Sequence, residues 1–135
     1  MCARHGQVSL EIVATAAVML VLLFTMLLVN QHLQAIWEVQ KEQLEASAAA
    51  NQLAIAINRA AAGGNSTRVL LFNSAGPDVA NISTYEGKSV RAYFVQGGFY
   101  AVPIVTSDTN ISAVPLNQEI AVVNANGTIS VQGVG

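Results

Sequence analysis

From Ile12 to Val29 the chain runs eighteen positions without a charge and with little polarity. That length suits a helix crossing the hydrocarbon core of a bilayer, and it exceeds the apolar core of an ordinary signal peptide. The pattern then changes without breaking. The stretch "NQHLQAIWEVQKEQLEASAAANQLAIAINRAAA" is rich in Ala, Leu, Gln and Glu, and it holds no Pro or Gly before Gly63-Gly64. These residues are strong helix formers, and a glycine pair is a fitting stop. The pattern predicts one helix over residues 7–62, about 80 Å long at 1.5 Å per residue against a hydrocarbon core of roughly 30 Å. Ala46, Ala50 and Ala54 stand four apart on one face, where small side chains permit close approach of another helix. The same alanines also suit helix propensity alone.

Beyond Gly64 the period shortens. Apolar and β-branched runs ("RVLLF", "SVRAYFV", "FYAVPIV", "EIAVV", "TISVQ") alternate with Gly, Asn, Ser and Thr. Gln96-Gly97-Gly98 and Asn126-Gly127 each separate two such runs, which is the signature of antiparallel hairpins. Pro103 belongs at a sheet edge or a strand end. Residues 63–135 are thus expected to form a small antiparallel β-rich head, and the whole chain an α+β fold. A head of this size with no disulfide is marginal alone, so packing on the helix or on neighbouring copies would help it.

Composition sharpens this picture. Charged residues make up only 10% of the 135-residue chain and hydrophobic ones 53%, against about 25% charged in an average soluble domain. Much apolar surface must therefore meet lipid or protein. The net charge is −2, and the six Lys and Arg are scattered, so there is no electrostatic case for nucleic acid. Cys2 is the single cysteine, which rules out an internal disulfide. His5 and His32 lie far apart, and no ligand spacing for zinc exists. Neither a cofactor nor a metal is called for. Gly63-Gly64-Asn65-Ser66-Thr67 lacks the lysine of a phosphate loop, and no Gly-x-Ser-x-Gly elbow or convincing acid–base pair occurs. An enzyme is not expected, and no residue is assigned a catalytic role.

The segment "HGQVSLE" sets Gly6, Gln7, Ser9 and Glu11 directly before the apolar run. This order resembles the processing site of an archaeal type IV pilin with a class III signal peptide. In that family a short basic leader ends in Gly, and Gln-x-Ser-x-Glu opens a hydrophobic helix. The leader here, "MCARHG", has one firm positive charge, Arg4, fewer than is common in such leaders. With His5 it still favours a cytoplasmic N-terminus. The resemblance covers the first 30 residues closely and the helix-plus-head layout in outline. It implies that residues 1–6 are a leader removed by a prepilin peptidase between Gly6 and Gln7. It also implies a pilus assembly ATPase and membrane platform as partners, and a helical homopolymer of the chain itself as product. The precursor would sit in the membrane and the mature filament at the cell surface.

Glu11 falls at the fifth position of such a mature chain. A carboxylate costs about 2.5–3.5 kcal/mol at a bilayer centre and less near the interface. The resemblance implies that Glu11 is neutralised by the new amine at Gln7 of a neighbouring subunit. If Gln7 cyclises, only a hydrogen-bond partner remains there. By position alone, Glu11 fits a hydrated place among headgroups equally well. The apolar run also fits a single-pass surface glycoprotein that never polymerises.

Four Asn-x-Ser/Thr sequons, at Asn65, Asn81, Asn110 and Asn126, all lie in the β half, each expected beside a turn or loop. They point to a glycosylated outer surface. Asn126 is ambiguous, because Asn-Gly-Thr is also what a tight hairpin turn requires. Glu38, Lys41, Glu42 and Glu45 offer opposite-charge pairs on a solvated helix face. His32 and Trp37 suit helix packing in an assembly, or anchoring at the outer interface.

Overall fold

The computed structural model describes the backbone of residues 3–106 and 108–134, and side chains from Ser9 onward within that range. Met1 and Cys2 lie outside the described residues. One helix, α1 (Ala3–Ala62), is followed by six strands: β1 (Arg68–Asn73), β2 (Val79–Tyr85), β3 (Ser89–Phe94), β4 (Phe99–Pro103), β5 (Gln118–Ala125) and β6 (Thr128–Gly133). The layout is α+β, as the change of period indicates. The Gly63 amide donates to the Arg59 carbonyl at 2.9 Å, and Gly64 takes the left-handed φ of 76° that ends helices without a Cβ clash. Arg59 lies in the last turn, where a cation suits the helix dipole.

The strands form two antiparallel sheets, ordered β1-β5-β6 and β2-β3-β4. Both sequence-signalled hairpins are present. Ala125 faces Thr128 across a two-residue turn in which Asn126 and Gly127 both have positive φ, 55° and 89°. That is the turn whose twist matches the strands it joins. Tyr93 faces Phe99 around Gly97 and Gly98, with φ of 96° and 92°. A third hairpin, between β2 and β3, turns at Glu86-Gly87. Pro103 ends β4, an edge strand. The opposite edge, along β2, is covered by the loop after β4: Thr84 donates to the Ile111 carbonyl and Val114 to that of Ile82, both at 2.9 Å.

The chain divides into two compact units, Met1–Val39 and Gln40–Gly135. In the second unit, Ala46, Ala50, Leu53, Ile57 and Ala60 of α1 join Ile82, Val90, Ala92, Ile120, Val122 and Ile129 in one buried cluster. This corrects one expectation. The Ala46-Ala50-Ala54 face does not wait for another helix, because it is buried in the chain's own core. Alanine keeps the helix surface thin there, and the sheet residues pack down on it.

Asparagines fasten this unit. The buried Asn124 donates from Nδ2 to the Ala60 carbonyl at 3.0 Å and accepts from the Gly127 amide at 3.0 Å. Asn58 accepts from the Val105 amide. Asn73 donates to the Pro115 carbonyl, and Asn117 accepts from the Ala75 amide.

Candidate functional site

The first candidate surface is the apolar part of α1. Every residue from Ser9 to Lys41 is exposed, and the helix is long and apolar enough to cross a membrane, with a mean hydropathy of 2.8 in its best window and none of that window buried. Helical backbone already spans Gly6 and Gln7, and the Gln7 side chain lies outside the described residues. Ser9 and Glu11 are both exposed. Two positions apart on a helix, they fall on opposite sides, so the fold does not bring them together within one chain. The Thr15 hydroxyl donates to the Glu11 backbone carbonyl at 2.8 Å, which leaves the Glu11 carboxylate outside that bond. Exposed apolar residues continue past Val29 through Leu33, Ile36 and Trp37. Among the charged helix residues, Lys41 and Glu45 come within 3.7 Å as an i,i+4 pair.

The sequon residues occupy different settings. Asn65, Asn110 and Asn126 are exposed, in the segment after α1, the loop after β4 and the β5–β6 turn. Asn65 and Asn126 hold each other. Nδ2 of Asn65 donates to Oδ1 of Asn126 at 3.1 Å, and the Asn126 amide donates to Oδ1 of Asn65 at 2.7 Å. Asn81 is the exception to the expected loop setting, since it lies within β2 and is half-buried. A register shift between Val79 and Asn81 breaks the alternation there. With Asn and Ser interleaved, the strand was not evident from the sequence.

A second surface was not anticipated. The face of β2-β3-β4 turned away from the buried Val90 and Ala92 carries Tyr85, Arg91, Tyr93 and Phe99. The Arg91 guanidinium lies 3.5 Å from the ring centroid of Tyr85 and 4.5 Å from that of Phe99, well within cation–π range. Tyr93 and Phe99 meet with centroids 5.8 Å apart and a 49° tilt. The only sequence signal was the alternation Ser89-Arg91-Tyr93 against Val90-Ala92. The cluster draws on three strands, so no local motif encodes it.

Among the described residues, no group of three His, Cys, Asp or Glu is placed to hold a metal ion. The chain matches no protein-family model, no curated protein and no solved structure.

Proposed function

We propose that this chain is a structural subunit of an archaeal type IV pilus-like surface filament. In this reading it is cleaved between Gly6 and Gln7 and assembled through its apolar helix, with the β head outward. The observation that carries the reading is the extent of bare apolar helix. From Leu10 to Trp37, 28 positions rise about 42 Å, whereas lipid tails cover about 30 Å. Large apolar side chains are exposed along Ile12–Val29 and again at Leu33, Ile36 and Trp37, with Asn30-Gln31-His32 between the two groups. Lipid tails can cover Ile12–Val29, but Leu33, Ile36 and Trp37 follow a polar step beyond that run, and copies of the same helix would cover both groups. The alanine face is already occupied within the chain, so helix-to-helix packing falls to Ile12–Val29 and its continuation. Glu11, at the start of the run, then meets a neighbour's Gln7 amine.

The test is the mature N-terminus and the assembly state of protein from its native cells. Mass spectrometry should find a chain starting at Gln7, and microscopy should find filaments containing it. A chain that keeps Met1, together with monomers confined to membranes, would instead mark a single-pass surface protein.

A further inference from the structure

We infer that Asn81 carries an N-linked sugar, and that the first sugar residue packs on the rings of Tyr93 and Phe99. The pairing register places Asn81 opposite Tyr93 and Tyr93 opposite Phe99. Directly opposed residues share a face of the sheet, with Cβ atoms about 5 Å apart, so these three form one row across three strands. The next row sets Ser83 opposite Arg91. Strand alternation therefore sorts the sequon. Its acceptor Asn81 and its hydroxyl Ser83 lie on the outer face, while Ile82 between them is fully buried.

The face suits a sugar ring. Phe99 is 50% exposed and Tyr93 half-buried, and the Arg91 guanidinium lies against Phe99 and the neighbouring Tyr85. Aromatic faces of this kind take the C–H side of a pyranose, while Arg91 and Ser83 offer polar hydrogens to its hydroxyls. No side-chain hydrogen bond engages Asn81 among the described residues, in contrast to Asn65, whose Nδ2 is committed to Asn126. A sugar tethered at one end of the aromatic row reaches the rings without needing affinity of its own. In the modifying step, Nδ2 of Asn81 forms a bond to the anomeric carbon of a lipid-linked oligosaccharide. The bond from that carbon to the lipid phosphate breaks, the phosphate leaves with the electron pair, and the amide nitrogen gives up one proton. The inference rests on the reading that the head faces the cell exterior.

The test uses full-length protein from native cells. Trypsin cleaves after Arg68 and Lys88, which isolates residues 69–88 with Asn81 as their single sequon. Asn65 falls in 60–68, and Asn110 and Asn126 fall in 92–135. Mass spectrometry should find sugar on the 69–88 peptide. An unmodified 69–88 peptide overturns the proposal, even where the other peptides carry sugar. Protease shaving of intact cells decides separately whether the head is outside. For packing, near-ultraviolet circular dichroism melts compare Asn81→Gln with wild type, and then repeat the comparison in a Phe99→Ala background. Loss of the sugar should lower the midpoint by about 4 °C in the first pair and by under about 1 °C in the second. Equal shifts in the two pairs would show that the sugar does not rest on Phe99.

Discussion

The side-chain amide of Asn124, buried in β5, donates to the main-chain carbonyl of Ala60 in the last turn of the helix. Sixty-four residues separate the two in sequence. One asparagine thus satisfies an orphan carbonyl at a helix end and, through Oδ1, the Gly127 amide of a hairpin turn. Asn124→Ala should destabilise the head by about 2–3 kcal/mol, because a buried carbonyl and an amide both lose their partner. Urea unfolding followed by tyrosine signals would measure it. A loss below about 0.5 kcal/mol would mean that water reaches both groups.

Gly127 tests the turn itself. Its φ of 89° lies where a Cβ is disfavoured, although no heavy atom stands within 4 Å of the place a Cβ would occupy. Gly127→Ala should therefore cost about 1–2 kcal/mol from backbone strain alone. Gly127→Asn should recover part of that loss, since Asn tolerates this region. Equal losses for the two variants in the same unfolding assay would point to a steric cause instead.

The alanine face makes a different demand. Ala50 is fully buried, so Ala50→Leu inserts three carbons into a filled core and should cost about 1–3 kcal/mol. Ala48→Leu, on the exposed side of the same turn, should be nearly neutral. If both variants leave head stability unchanged while both disrupt assembly, the alanine face packs between chains after all.

Glu11→Gln separates pairing from simple hydration. The change is nearly isosteric and removes one charge, so membrane insertion should be unaffected or improved. If Glu11 meets a neighbour's terminal amine, a charge-assisted bond is lost, and filament yield should fall about tenfold or more at an unchanged ratio of precursor to mature chain. Quantitative blots of sheared filaments and of membranes would read both quantities. Normal yield would place Glu11 among the headgroups.

The parts of this fold that were legible in the sequence are those written locally. The unbroken run of helix formers, the stop at Gly63-Gly64 and the turns at Gly97-Gly98 and Asn126-Gly127 each depend on residues within a few positions of one another. Where the fold depends on distant partners, the sequence was silent or misleading. Ala46, Ala50 and Ala54 announce a close-packed face without saying what packs on it. β2 escaped notice because its irregular step near Asn81 hides the alternation. Arg91 is an unremarkable cation until Tyr85 and Phe99 arrive from two other strands. Of the candidate sites, the sequons and Glu11 were visible as motifs, but the aromatic row beside Asn81 exists only once three strands are in register.

The order β1-β5-β6 has a consequence in time. β1 is made first, yet the partner of Leu70 is Ala121, about fifty residues later. β2, β3 and β4 lie between them and pair only with their neighbours in sequence. Closing a short loop costs less entropy than closing a long one, so the β2-β3-β4 meander forms while β1 still lacks its partner. Pulse-labelled hydrogen exchange should show Ala92 protected before Leu71, whose amide faces β5. Until β5 arrives, the nascent chain exposes both an unpaired strand and the greasy side of Leu53 and Ile57. The head is therefore most vulnerable to misassociation near the end of its synthesis, when most of its residues have already been made.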